Sequence, residues 1–124
     1  MTSPTVMSEA QVQLVVTDTL SACGWMWVHF RPARTKHGGW VTPYEGDDYF
    51  PDILALKNGR QLALEIKGTS GAKKPGPNVR GPSLQTRIRW EGQQAWLDEF
   101  DLAGAFAIFV TPDTLDMAVK EIAR

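Results

Sequence analysis

Asp52, Glu65 and Lys67 are the residues of this chain whose types and spacing could do chemistry. They lie in DYFPDILALKNGRQLALEIKG, residues 48–68, which otherwise reads as two buried strands and a tight turn. Asn58-Gly59 is a strong two-residue hairpin signal, because both turn positions need positive φ. Such a turn sets a register in which Lys57 faces Arg60, Leu56 faces Gln61, Leu54 faces Ala63 and Asp52 faces Glu65. Directly opposed side chains have Cβ atoms about 4.5–5.5 Å apart. Lys67, two residues beyond Glu65, shares its face. The turn alone therefore predicts two acids and an amine in one cluster at the outer end of the hairpin. Facing carboxylates repel when both are charged, so such a pair shares a proton or holds a cation. Two readings stand side by side. In one, the strand end frays and Lys67 bridges both acids in a solvated salt bridge. In the other, the acids hold a divalent ion, since Mg²⁺ takes one or two protein carboxylates and leaves its other positions to water and phosphate. Lys67 would then orient a water or neutralise a phosphate.

Two more polar residues fall on apolar helix faces. In GQQAWLDEF, Trp96, Leu97 and Phe100 mark the inward face, and Gln93 lies three residues before Trp96 and four before Leu97. That spacing puts Gln93 on the same face, where an amide needs a polar partner unless the helix end is solvated. Gln94 is its immediate neighbour and competes for the position. Glu9 precedes Val12 and Val16 on the inward face of the first helix. It also fits as an ordinary acid in a first turn, where the helix dipole favours it.

The elements that must position these residues alternate. SEAQVQLVVTDTLSACG reads as a helix, with Ser8 and Gln11 at capping-box spacing and Gly24 as the stop. WMWVHF is a strand. Residues 31–47 form an irregular loop rich in Gly and Pro, and the hairpin of 49–67 follows. GTSGAKKPGPNVRGPS is a second loop. A helix then runs to about Ala103, with Gly104 beyond it. AFAIFV is a buried strand. TPDTLDMAVKEIAR is the last helix, with Thr111 as cap and Pro112 at the first helical position. The order is α-β-β-β-α-β-α, an α/β chain with a mixed central sheet flanked by helices. A length of 124 residues suits one domain, 1–124, with one core.

Net charge is only −1, but it is unevenly spread. Residues 57–90 hold eight basic residues against one acid, a net of +7, so the rest of the chain carries −8. A basic zone in a near-neutral protein is a footprint for a polyanion; it also fits a solvated loop. Lys73, Lys74, Arg80, Arg87 and Arg89 are its candidates for backbone contact. His29 and Arg31 alternate with Phe30 on a strand that leads towards the cluster, so they are candidates too, or simply polar strand residues. Trp40 and Trp90 lie near loops, where they either stack on unpaired bases or pack in the core. The single cysteine, Cys23, excludes a disulfide framework and a cysteine-rich zinc site, and His29 and His37 lack partners for zinc. One cysteine fits a reducing, intracellular setting. No apolar run approaches the ~20 residues of a membrane helix, and the N-terminus has no basic-then-apolar leader.

In this order FPD, the thirteen-residue step from Asp52 to EIK, and the helix that follows resemble the PD-(D/E)XK nuclease motif. Within that superfamily the chain resembles the VRR-NUC group. The likeness runs from SEAQVQ through GW at 24–25, PDIL at 51–54 and LEIK at 64–67 to QQAWLDEFDLAGAFAIFV at 93–110, most of the chain. An insertion at 69–82 lengthens the step to Gln93. The resemblance implies a restriction-endonuclease-like core and Mg²⁺- or Mn²⁺-dependent cleavage of DNA. It carries the group's motif roles to Glu9, Asp52, Glu65, Lys67 and Gln93. Asp52 and Glu65 would bind metal with the Ile66 carbonyl as a third ligand. Glu9 would act through water, and Gln93 would orient Lys67 or the water. Compact members of the group are often phage-encoded, act on branched DNA such as Holliday junctions, and are thought to work as homodimers. That implies a cytoplasmic setting in a bacterial or phage-infected cell. A non-catalytic DNA-binding module on the same fold is the alternative, and a metal-dependent enzyme on another substrate is a third.

Overall fold

The structure is a computed structural model that describes residues 6–30, 44–77 and 80–124, together with the backbone at 33–34 and 40–41. Ser8 opens α1 (Glu9–Ala22) with the capping box that its spacing predicts. The Gln11 N–H donates to the Ser8 hydroxyl at 3.1 Å, and the Ser8 N–H donates to the Gln11 side chain at 2.8 Å. The helix ends where the Gly24 N–H returns to the Ser21 carbonyl and the Trp25 N–H to that of Leu20, which pairs carbonyls a helix end leaves open.

β1 (Met26–His29) follows. The stretch expected to be irregular contains a two-residue antiparallel pair, β2 (Ala33–Arg34) and β3 (Trp40–Val41). Strands this short have no alternation to betray them. β4 (Ile53–Lys57) and β5 (Arg60–Ile66) form the expected hairpin. Asn58 and Gly59 take φ of 49° and 78°, and the pairing runs from Lys57↔Arg60 to Ile53↔Leu64 in the predicted register. A short 3₁₀ turn, Thr69–Gly71, leads into the second loop. α2 (Pro82–Leu102), β6 (Phe106–Val110) and α3 (Leu115–Ala123) complete the chain.

The last helix starts later than its sequence suggests. Thr111 caps the preceding turn and not the helix, accepting from the Asp113 and Thr114 N–H groups at 3.1 and 3.3 Å, while Thr114 is the helix's N-cap. The Thr114 N–H also returns to the Thr111 carbonyl. This closes one tight turn over Pro112, and the α-helix begins after Thr114.

The main sheet has the order β1-β4-β5-β6, with β5 and β6 parallel and the other pairs antiparallel. The molecule is thus a mixed α/β fold in the order α-β-β-β-α-β-α, with the small β2/β3 pair added. One face of the sheet packs Ile53, Ala55, Leu62, Leu64 and Ile66 against Val12, Val16 and Leu20 of α1 and Ala118 and Ile122 of α3. α2 crosses the other face over β5 and β6 and buries Trp90, Gln93 and Leu97. On the β1/β4 half of that face, Met26 and Leu56 pair and stay 77% and 50% exposed. Among the described residues no helix is long and apolar enough to cross a membrane.

Candidate functional site

The ladder between β4 and β5 ends at Ile53↔Leu64, and the next pair is Asp52 and Glu65. Here side-chain oxygens replace backbone carbonyls. The Asp52 N–H donates to Glu65 Oε2 at 3.1 Å, and the Ile66 N–H donates to Asp52 Oδ2 at 2.8 Å. Each carboxyl reaches across to the other strand, so the two acids are neighbours, as the turn predicts. A strand residue projects its N–H and C=O to the same edge, so the Ile66 carbonyl also points to the Asp52 side.

Gln93 reaches this pair from α2. It is 8% exposed, and its Nε2 donates to Glu65 Oε1 at 2.7 Å. Its Oε1 is buried with no hydrogen-bond partner. The ambiguity between neighbouring glutamines is thereby resolved in space: the Gln94 side chain instead bonds Asp98 at 2.8 Å on the outer side of the helix.

Burial dominates the electrostatics. It pushes the Glu65 carboxyl up to about 9, helped by the Asp52 charge and opposed by Lys67. It also raises Asp52, against the Ile66 N–H, Glu65, His29 and Lys67, which hold that carboxyl down. Glu9 lies within electrostatic reach at the start of α1. Partial burial and then Asp52 raise its carboxyl, while Lys67 lowers it. His29 ends β1 with its ring Nδ1 3.3 Å from the Gln13 amide, close enough to Asp52 to stabilise its charge.

Lys67 departs from the salt-bridge reading. Among the described residues, no ion pair within 4.0 Å includes it. Its ammonium instead lies 5.5 Å from the centre of the Trp90 ring and 5.9 Å from that of Phe109. Trp90 is buried and stacks on Phe109 at 4.4 Å, so it is a core residue and not a platform for bases.

A second contact escapes sequence reasoning. The Thr69 N–H donates to the Met7 carbonyl at 2.8 Å, and the Met7 N–H donates to Thr69 Oγ1 at 2.9 Å. Between them Gly68 is pressed on the start of α1: a Cβ there would lie 2.5 Å from the Glu9 nitrogen. This clasp brings Glu9 to the end of β5. The glycine immediately after Lys67 was the signal available.

Of the basic residues, Lys73, Lys74, Arg80 and Arg89 are exposed. Arg87 is differently engaged: it pairs with Glu91 at 2.9 Å and donates to the Pro77 carbonyl at 2.6 Å, tying the loop to α2. Arg31 and the side chain of Trp40 lie outside the described residues. A surface hollow of about 460 Å³ lies at the turn end of the sheet, beside Arg60, Asp101 and Glu121, away from the carboxylates.

Among the described residues no group of three or more His, Cys, Asp or Glu side chains forms a metal-binding cluster. The donors nevertheless suit a hard divalent cation, which takes oxygen ligands and completes its shell with water. Burial raises the proton affinity of both carboxyls despite Lys67, and at Asp52 despite His29 as well, and among the described residues the buried Gln93 oxygen has no donor. No protein-family model, curated protein or solved structure matches the chain.

Proposed function

We propose that this chain is a Mg²⁺- or Mn²⁺-dependent DNA endonuclease, a VRR-NUC-like member of the PD-(D/E)XK superfamily with a restriction-endonuclease-like core. Branched DNA is its proposed substrate, a homodimer its working form and a bacterial or phage-infected cell its setting. The observation that supports this most is the gathering of Asp52, Glu65, Gln93 and Lys67 at one end of the sheet, with three of them joined by hydrogen bonds. In this reading Asp52 and Glu65 hold the ion, with the Ile66 carbonyl beside them and Glu9 acting through water. Such an ion supplies charge stabilisation at a phosphate and a more acidic water. Gln93 keeps the Glu65 carboxylate turned inward and offers its unpaired oxygen to a water. Lys67 brings a positive charge to the scissile phosphate. Lys73, Lys74, Arg80 and Arg89 grip the backbone, which positions the strand without reading its sequence.

One observation favours the non-catalytic reading. Asp52 and Glu65 also close the strand ladder, a purely structural task. The deciding experiment combines calorimetry and cleavage. Wild-type protein should bind Mn²⁺ and nick labelled flapped or four-way DNA with Mg²⁺ or Mn²⁺ but not with EDTA. Asp52→Ala should lose both activities. DNA binding without Mn²⁺ binding or cleavage would leave only the DNA-binding module.

A further inference from the structure

Lys67 sits within electrostatic reach of Glu9, Asp52 and Glu65, yet it forms an ion pair with none of them. A flexible lysine beside carboxylates would by default collapse onto one of them. We propose that Trp90, backed by Phe109, is the positioning residue for Lys67: the stacked rings hold the ammonium beside the acids without neutralising it. The functional consequence rests on the nuclease reading above.

Four features carry the inference. The ammonium lies within 6 Å of both ring centres, the range in which an aromatic quadrupole attracts a cation. The rings cannot drift, because they stack at 4.4 Å with planes 21° apart and Trp90 is 8% exposed. Phe109 pairs in register with Glu65 across the parallel ladder, so the sheet itself sets the spacing between the aromatic shelf and the acid. On the other side the lysine stem runs past Gly71, where a Cβ would lie 3.7 Å from Lys67 Cδ. A ring centre 5.5 Å away attracts the charge through its quadrupole and needs no directed hydrogen bond. A carboxylate partner would occupy a donor and also tie up an oxygen that a metal needs. Held by rings, the ammonium keeps its three donors for phosphate or water.

The test compares Trp90→Phe, which keeps a π face, with Trp90→Leu, which keeps only apolar bulk. Phe109→Leu serves as a second variant if Trp90→Leu does not fold by thermal melting. The first measurement needs no cleavage: rings this close should shift the Lys67 ε-CH₂ protons upfield in the NMR spectrum of the wild type. The shift should persist in Trp90→Phe and shrink in Trp90→Leu or Phe109→Leu, each of which leaves one ring within reach. The second is the cleavage rate on DNA with Mg²⁺. Trp90→Leu should lose on the order of 10²-fold in kcat, the scale set by a misplaced group, with Mn²⁺ affinity and DNA affinity retained. Adding it to Lys67→Ala should cost nothing further, since it acts through the lysine. Unshifted ε-CH₂ protons in the folded wild type, or full kcat in a folded Trp90→Leu, would overturn the proposal. A shifted signal in a protein that cuts no DNA would support the aromatic shelf and remove the nuclease reading alone.

Discussion

Between pH 4.5 and about 9 the folded Glu65 carboxyl keeps a proton that it would release in an unfolded chain. The native state therefore binds more protons over that window, and unfolding releases them. Stability falls as pH rises from 4.5 and levels off above about 9. Glu65→Gln, a neutral mimic of the protonated acid, should flatten this slope in melts run with EDTA. An equal slope in both proteins would mean that Glu65 is already ionised. The position of this residue was legible in the sequence because Asn58-Gly59 dictates the register up to Asp52 and Glu65. Gln93 was legible through helical spacing. The surroundings of Lys67 were not. Phe109 reaches Glu65 through parallel pairing, which no local turn specifies, and the sequence leaves Trp90 as either a base platform or a core residue without showing which ring or cation it meets.

At the scale of elements, the clasp between α1 and the end of β5 makes Gly68 the sensitive position. A methyl there meets main-chain atoms of Met7, Ser8 and Glu9, which cannot rotate away. Gly68→Ala should cost about 1–3 kcal/mol, the range for overpacking, as read from urea melts, and should weaken Mn²⁺ binding by displacing Glu9. Thr69→Ala removes one exposed hydrogen bond and should cost about 0.5–1.5 kcal/mol. If Gly68→Ala melts like the wild type, the close approach is not maintained in solution. The second loop allows a separate test. Neutralising Lys73, Lys74 and Arg80 together should lower the log–log salt slope of duplex binding by up to about 2.7, at roughly 0.9 per lost phosphate contact. An unchanged slope takes the loop out of the interface. The α1 cap, the ends of α1 and α2 and the hairpin were readable because each depends on a few neighbouring residues. The late start of α3 was not, because the Thr111 hydroxyl and the Thr114 N–H combine to favour a tighter turn.

Across the whole molecule, α2 covers β5 and β6 and leaves Met26, Val28 and Leu56 exposed on the β1/β4 half of the sheet, with β1 at its edge. Symmetric incision of a branched substrate needs two sites in opposed orientation, which a two-fold dimer supplies from one surface. The sequence offers two apolar candidates for such a surface, the tryptophan-rich first strand and the loop around Trp40; the first strand is exposed, and the Trp40 side chain lies outside the described residues. Sedimentation at micromolar concentration should give a dimer mass, and Met26→Lys with Leu56→Lys should return the chain to a monomer that still binds Mn²⁺. A monomer mass for the wild type, free and on junction DNA, would remove the dimer and with it paired incision.

The contrast between the two ladders also bears on the order of events as the chain folds. β4 and β5 meet across two residues, whereas β6 reaches β5 only after the whole of α2 has been laid down. Local pairings form fast and distant ones slowly, so the two acids come together before Gln93 and the aromatic shelf arrive. On the proposed function, a cation present during refolding meets its ligands in a half-built chain. Mn²⁺ should therefore accelerate the refolding limb and not merely slow unfolding, an acceleration that Asp52→Ala abolishes. If Mn²⁺ changes only the unfolding rate, the acids do not capture it until α2 is in place.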